Sequence, residues 1–529
     1  MGKQLIERLQ QTVIGSALIL GAASVTSRFL GLFRDRLISS HFGIGHISDS
    51  YFSAFRIPDF IYNILVLGAL SASFVPIFIE YRKKDGERAA MDIANDVLNI
   101  LTFSLVVLAA ICFIFAPSIV HILGYGDSGE ERVLITHFTR IMLLSMIFFG
   151  MSNVLAGVLH ANKRFFVYAM APIMYNVGII IGILVLYPII GVTGLPWGVV
   201  FGAALHFLVQ LPAAMKTGFR FRPHLSLRHP GVRRILMLMP SRSFALGLTQ
   251  VNLFIIFIIA STLSDGAKSV WQYADNLQHF PINIFGVSLS LAVFPLFSEA
   301  FAENNIHRFK QIFSENFRRI LFFIIPISIA TLLLRAQIVR LVYGAGVFDW
   351  TATKLTAQTL GMFALSMFAQ SLIPLLARAF FARQDTMTPV VISLGSVVVN
   401  LVLGWWFAHL WGIIGLALAF SIAEIIEMLT LLVTLRARHG DLEDNHIISS
   451  TWKIIISSLG MGCIIQGLKY VIAPAVDMHT FVGIFLQTMG SLIGGGMMYL
   501  FIATQFHFDE AEAVKTKIVG MWSLLKRYW

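Results

Sequence analysis

The chain has 529 residues, of which 57% belong to the hydrophobic set and 13% are Asp, Glu, Lys or Arg. An ordinary soluble domain carries about 25% charged residues. A soluble globule of this length would lack polar surface, so the composition excludes most soluble enzymes and any disordered scaffold and favours a polytopic membrane protein. The net charge of +11 would suggest nucleic acid in a soluble protein, but Lys and Arg collect on the cytoplasmic loops of membrane proteins whatever their function.

A helix crossing the hydrocarbon core needs about 20 mostly apolar residues. In chain order that window finds about fourteen candidates: 11–33, 48–79, 92–120, 133–159, 165–188, 194–215, 233–262, 268–298, 316–334, 355–382, 388–408, 411–435, 452–472 and 481–505. The first apolar run, Ile14 to Ala23, passes without a small-residue cleavage site into Ser27-Arg28-Phe29-Leu30. It reads as a retained span rather than a signal peptide. Several spans exceed the minimum and contain Pro or Gly, which predicts tilt and kinks. The alternation of a β-barrel is absent. Cys112 and Cys463 lie in apolar runs and offer neither a disulfide framework nor a zinc site. The expected fold class is an all-α polytopic membrane protein.

Of the 39 Lys and Arg residues, 27 fall on the side of the N-terminus, 8 on the other, and Arg28, Arg56, Arg140 and Arg242 lie inside spans. This skew places both termini in the cytoplasm. It also supports an even number of spans, because a missed helix would scramble the alternation.

The chain repeats itself weakly. Val75-Pro76-Ile77-Phe78-Ile79-Glu80 returns as Phe294-Pro295-Leu296-Phe297-Ser298-Glu299, an offset of 219. The turn at Ala161-Asn162-Lys163-Arg164 returns at Ala382-Arg383-Gln384-Asp385, and Gly191-Val192-Thr193-Gly194-Leu195 at Gly412-Ile413-Ile414-Gly415-Leu416, both offset by 221. Two parallel six-helix lobes would result, an arrangement found where two halves rock around a central site. The expected division is a first lobe over 1–215, a cytoplasmic loop over 216–232, a second lobe over 233–436, and two extra helices with a tail over 437–529.

Charges in the hydrocarbon zone are expensive and usually face a cavity or a partner. Arg28 and Arg34 stand close to two helical turns apart on the first span, and Asp35, Asp49, Arg56 and Asp59 follow. Arg34 and Asp35 equally fit an interfacial position with snorkelling or a local pair, and Arg56 also lies within snorkelling range. Arg242 follows Pro240 early in the seventh span. Gln250 and Asn252 line a lumen or hydrogen-bond neighbouring helices. Asp275 and His279 share a face, with no second His at metal-ligand spacing. Glu424 and Glu427 form either a relay for a proton or cation or a pair facing the cytoplasmic half. Walker A, nucleophile-elbow and kinase motifs are absent. The loops are too short and basic for an obvious metal-diphosphate transferase site. The residues point to a secondary transporter or flippase with an arginine-rich cavity. The guanidinium fork suits phosphate, so the cargo would carry an anionic head such as a lipid-linked pyrophosphate.

At Ser27-Arg28-Phe29-Leu30-Gly31-Leu32-Phe33-Arg34-Asp35 the chain resembles the MurJ (MviN) family of lipid II flippases, within the multidrug/oligosaccharidyl-lipid/polysaccharide exporter superfamily. Further matches are Asp49-Ser50-Tyr51-Phe52, Gly68-Ala69-Leu70-Ser71, Phe74-Val75-Pro76, Asn162-Lys163-Arg164-Phe165, Gln250-Val251-Asn252-Leu253, Tyr273-Ala274-Asp275 and Arg383-Gln384-Asp385-Thr386. The resemblance covers nearly the whole chain. It implies two lobes around a cationic cavity, a groove for the lipid tail on the last two helices, and transfer of an undecaprenyl-pyrophosphate-linked peptidoglycan precursor across the bacterial cytoplasmic membrane. Head-group contacts are implied at Arg28, Arg34, Asp35 and Asp49, with Arg56 and Arg242 as supplementary charge. From the residues themselves Asn252, Asp275 and His279 are candidate lumen or coupling residues, and Asp385, in a turn the resemblance covers, is a further one that holds its turn or an ion. The chain departs from the family pattern at Tyr62 and Asn63, where basic residues are common, at Leu67, where Glu is common, and at Asn276 and His279. Other readings stay open: a flippase for another polyprenyl-linked glycan, a cation-coupled exporter of the MATE type, and a membrane transferase. The expected partners are the lipid-linked precursor and membrane lipids, acting on a monomer, with no nucleic acid and no cofactor beyond membrane potential or a monovalent cation.

Overall fold

The computed structural model describes residues 13–126, 128–223, 226, 229–506 and 508; within helices, the side chains at 13, 14, 16–18, 67–73, 238–246 and 248–249 lie outside the described set. Every regular element among the described residues is helical. The chain divides into two compact units, Met1–Ser269 with Ala345–Phe348, and Val270–Gly344 with Asp349–Trp529.

The first unit contains α1 (Val13–Phe42), α2 (His46–Ala54), α3 (Arg56–Tyr62), a π-helical turn (Asn63–Leu67), α4 (Gly68–Lys84), α5 (Gly86–Ile122), α6 (Gly129–Ala161) and α7 (Phe165–Ile181). A second π-turn (Gly182–Leu186), a helical turn (Tyr187–Ile190) and a 3-10 turn (Gly191–Thr193) lead into α8 (Gly194–Lys216) and α9 (Pro230–Ser261). α10 (Ala267–Pro281) begins in this unit and continues into the second, where a third π-turn (Ile282–Val287) precedes α11 (Ser288–Ala302). There follow α12 (Ile306–Tyr343), α13 (Trp350–Ala364), α14 (Met367–Phe381), α15 (Met387–His439), α16 (Asp444–Ile472) and α17 (Phe481–Gln505).

Among the described residues eight helical stretches are long and apolar enough to cross a membrane, and α13 with α14, bent by 45°, makes a ninth. Two of the eight, Phe165–Lys216 and Met387–His439, run to 52 and 53 residues. At about 1.5 Å per residue each would far exceed a core of about 30 Å. Each reverses instead at a glycine: Gly191 (φ 65°, ψ −152°) and Gly412 (φ 60°, ψ −141°). That backbone region is open essentially to glycine alone. Each long stretch therefore holds two crossings, an arrangement consistent with about fourteen spans.

The repeat read from short motifs recurs in backbone conformation. Lys163 and Gln384 both take positive φ (55° and 63°), as do Gly45 and Gly266 (148° and 88°). With Gly191 and Gly412 these make three pairs 221 residues apart. The π-turns at Asn63 and Ile282 start 219 apart. The same irregularities stand at the same places in both copies.

In the first unit α7 packs along α8 with almost no side-chain spacer. A Cβ at Gly178 would stand 2.2 Å from the Gly202 Cα, and one at Gly182 would stand 2.4 Å from the Gly198 Cα. Both helices thus present a small-xxx-small stripe. In the second unit the buried Phe309, Phe313, Phe317, Leu321 and Ile324 of α12 form the centre of the core. The two helices beyond the repeat dock on this axis: Tyr499 OH donates to the Phe322 carbonyl at 2.7 Å, and Lys469 Nζ to the Leu333 carbonyl at 3.0 Å.

Candidate functional site

The first unit encloses a cavity of about 350 Å³ between α1, the end of α3, α6, α7 and α8. Arg28 brings the cation, and Ser24, Ser27, Tyr62, Asn153, His206 and Gln210 the polar groups, over an apolar floor that includes Phe149 and Ala156. Among the described residues no hydrogen bond or ion pair occupies the Arg28 guanidinium. The polar groups, by contrast, are organised. Asn153 Nδ2 donates to Tyr62 OH at 2.6 Å. Gln210 Nε2 donates to Ser152 Oγ at 2.6 Å, and Ser152 Oγ lies 2.6 Å from His206 Nδ1. A hydroxyl has one proton. Ser152 Oγ accepts from Gln210 and donates to the His206 carbonyl at 3.2 Å, so the hydroxyl joins α6 to both polar residues of α8. The result is one unclaimed cation beside a belt of oriented neutral donors and acceptors.

Arg34, six residues further along α1, is not in this cavity. Its Nε and Nη2 reach Asp35 Oδ1 at 2.9 and 2.7 Å, and its Nη1 donates to Asn176 Oδ1 at 3.1 Å. Asn176 is itself held by Nδ2 donating to the Pro172 and Ser27 carbonyls at 3.1 and 3.2 Å. Of Arg28 and Arg34, then, Arg34 pins α1 to α7 and Arg28 lines the cavity. Asp35 is 3% exposed and serves the local pair.

Asp49 on α2 accepts from Gly266 N at 2.9 Å and Ser269 N at 2.8 Å, and also from the Ser269 hydroxyl. It supplies acceptors at the N-terminus of α10, where backbone donors lack helical partners. Beside it Lys268 Nζ meets Glu131 Oε1 at 2.7 Å, with both side chains about 5% exposed or less. Arg56 lies with its guanidinium 3.7 Å from the Phe257 ring centroid, a cation–π contact. Asn252 is half-buried on α9. The side chain of Arg242 lies outside the described residues. Where basic residues are common in the resembled family, Tyr62 accepts from Asn153 Nδ2 at 2.6 Å and Asn63 donates to the Asp59 carbonyl at 2.8 Å.

The remaining candidates belong to the second unit. Asp275 Oδ1 lies 3.3 Å from His279 Nε2 and accepts from Gln278 Nε2 at 2.9 Å. Gln278 in turn accepts from Gln370, which also donates to Ser366. Glu427 accepts from Ser393 Oγ at 2.6 Å and so ties the two arms of α15. Asp385, in the turn before α15, accepts from Thr388 N at 3.0 Å and Thr388 Oγ1 at 2.7 Å, and is paired with Arg438. Slight burial acts to raise its carboxyl pKa, but the Thr388 and Arg438 hydrogen bonds outweigh this and hold it below the usual carboxylate range. Asp385 therefore clasps the turn to the end of α15. Among the described residues no three His, Cys, Asp or Glu side chains group as a metal site.

Sequence reasoning did not single out Ser152, Asn153, His206 or Gln210. Their signal was present: His206 and Gln210 stand four apart, on one face of an otherwise apolar span. Asp49 was singled out, but its partners lie 217 and 220 residues away.

The family profile described as "Lipid II flippase MurJ" matches residues 38–519. A curated relative, "Lipid II flippase MurJ" of Burkholderia cenocepacia, is 31% identical over 429 residues, covering 80% of this chain and 83% of its own length. The solved structure "Lipid II flippase MurJ, inward closed conformation" aligns with a TM-score of 0.77 and 26% identity, over 93% of this chain and 99% of that one. An inward-facing transporter of the multidrug-resistance MATE family aligns with a TM-score of 0.66 over 79% of this chain and 96% of its own, but at 15% identity it shares the fold alone. The chain belongs to the MurJ family of lipid II flippases.

Proposed function

We propose that this protein moves lipid II, the undecaprenyl-pyrophosphate-linked peptidoglycan precursor, from the inner to the outer leaflet of the bacterial cytoplasmic membrane by alternating access. The reading is carried by the Arg28 cavity in a chain of this family. Arg28 is an intramembrane cation with no protein partner among the described residues, and it stands beside groups that suit sugar hydroxyls and amides. It would meet the pyrophosphate, while Tyr62, Asn153, His206 and Gln210 would meet neutral parts of the head. Arg34, Asp35 and Asp49 act on the frame: they hold α1 to α7 and α2 to the start of α10. The lipid tail stays in the bilayer, beside α16 and α17. The six-plus-six-plus-two division, cytoplasmic termini, a monomeric state and transport without bond cleavage belong to the same reading. One charge moved through 100 mV is worth about 2.3 kcal/mol, so membrane potential or a monovalent cation can drive the cycle.

The test is complementation of a strain depleted of its lipid II flippase. The parent chain restores growth; Arg28→Ala, at equal membrane abundance, does not, while Arg28→Lys does so in part. Full rescue by Arg28→Ala would remove Arg28 from the mechanism. Failure of the parent chain, together with rescue of a strain lacking a flippase for another polyprenyl-linked glycan, would transfer the protein to that cargo. The replacement of basic residues by Tyr62 and Asn63 is the observation that favours that second reading.

A further inference from the structure

Arg140 is an intramembrane cation outside the Arg28 cavity, placed on α6 near the start of the apolar run 133–159. Pro117, on the neighbouring α5, accounts for one of its contacts. A proline in a helix has no N–H for the carbonyl four residues earlier, which here is that of Phe113. In hydrocarbon such a freed carbonyl takes its donor from a neighbouring helix. Arg140 Nε donates to the Phe113 carbonyl at 3.0 Å, and its guanidinium carbon lies 5.0 Å from the Phe113 ring centroid.

A neutral donor would satisfy that carbonyl. Arginine adds a charge, which is costly in hydrocarbon, and two further nitrogens. Among the described residues Nη1 and Nη2 have no hydrogen bond and the guanidinium no ion pair. The acids ahead of it on α6, Glu130 and Glu131, stand roughly 14 Å away along the helix at 1.5 Å per residue, and Glu131 is committed to Lys268. The surroundings face lipid. Val133, His137 and Leu144 are exposed and share a helical face with Arg140, and Phe113 is exposed across from them on α5. Side chains on a helix lean toward its N-terminus, which for α6 is the nearer membrane boundary. The Cα of Arg140 lies about 10 Å inside the start of its apolar run, a depth that a snorkelling side chain and a drawn-in head group close between them.

The only anion the bilayer brings to that level is a lipid phosphate. We propose that Arg140 binds the phosphate of an anionic glycerophospholipid in the groove between α5 and α6, Nη1 and Nη2 donating to its oxygens while the acyl chains lie against Phe113 and Leu144. A zwitterionic head would bring a cation of its own with no acid at that depth to meet it, so lipids of net negative charge are preferred. The proposal does not depend on what the protein transports.

The test is native mass spectrometry of the purified full chain, released from detergent micelles with added phosphatidylglycerol or phosphatidylcholine. The parent is expected to hold phosphatidylglycerol about tenfold more tightly than phosphatidylcholine in its tightest step, the scale of a hydrogen bond to a charged group, and Arg140→Gln to lose that preference. Arg319→Gln, at an exposed arginine paired with Glu315 on α12, should keep it. Pro117→Ala separates the charge from the cap, because alanine returns an N–H to the Phe113 carbonyl. In that background Arg140→Gln should leave the lipid-free unfolding midpoint unchanged and still abolish the lipid preference. Equal retention of the two lipids by the parent would overturn the proposal, as would a preference that survives Arg140→Gln in either background. Displacement of the lipid by excess glycerol 1-phosphate would make this a site for soluble anions, and the lipid assignment would fall.

Discussion

Arg28 and Arg34 show how little a residue's type determines its task. Both sit on α1, in the same stretch, two turns apart. Arg34 has a carboxylate next to it and an amide across from it; Arg28 has a cavity. Intramembrane charge was legible in the sequence as a cost requiring explanation. Which partner meets that cost was not, because Asn176 is 142 residues from Arg34 and Lys268 is 137 residues from Glu131. The Lys268–Glu131 pair allows a direct test. Removing one member of a buried pair strands the other, so Glu131→Gln should destabilise the protein by about 3–5 kcal/mol. The double variant Glu131→Leu with Lys268→Met should lose much less, measured as unfolding midpoints in detergent. Asp385 has a pH signature. Its carboxyl is depressed in the fold, so its contribution is present above the ordinary carboxylate range and is lost as pH falls through its folded value. Asp385→Asn should therefore be less stable than the parent at pH 7, and the gap should close as the pH falls through the folded pKa of Asp385. A gap independent of pH would refute the assigned clasp.

At the scale of elements, glycine carries most of the instruction. The sequence Gly178-Ile179-Ile180-Ile181-Gly182 and its partner Gly198-Val199-Val200-Phe201-Gly202 are legible as close-packing stripes. They are hard to pair from sequence alone, since many membrane helices contain such spacing. Structure resolves the pairing because only facing stripes allow Cα atoms this near. The reversal inside the 53-residue α15 was read from the gap between two apolar runs, 388–408 and 411–435, and it falls at Gly412. The conformation there is closed to side chains, so Gly412→Ala should cost about 1–3 kcal/mol, and Gly191→Ala a similar amount. Protease resistance of the purified variants measures both. Ala at Gly395, which has open space around its Cβ position and no unusual φ, should have little effect. The π-turns were not legible: each follows from tertiary accommodation rather than from a local motif.

For the whole molecule, the repeat and the charge skew were the most informative features of the sequence. Three weak motif matches at offsets of 219 and 221 correspond to matched backbone irregularities in the two copies. Net charge taken alone pointed nowhere; sorted by side of the membrane it becomes a topology. That sorting predicts that fluorescent-protein fusions at Trp529 fluoresce, while a fusion inserted in the turn near Asp477 is dark in a reporter that matures only in the cytoplasm. The reverse pattern would invert the assigned orientation. What composition could not disclose was the polar belt around Arg28, because Ser152, Asn153, His206 and Gln210 are ordinary in number and acquire meaning only when α6 and α8 bring them together.

The buried contacts of Asp49 and Glu131 also order the protein's synthesis. Their partners, Gly266, Lys268 and Ser269, leave the ribosome 137 to 220 residues later. At ordinary elongation rates this is a delay on the order of ten seconds. Throughout it, two acids near the same end of the first unit wait without their native ligands. The first six spans can enter the bilayer in that time, but they cannot reach their final packing until the start of α10 arrives. Completion of the N-terminal half is therefore a late event, tied to the arrival of residues that follow its last span.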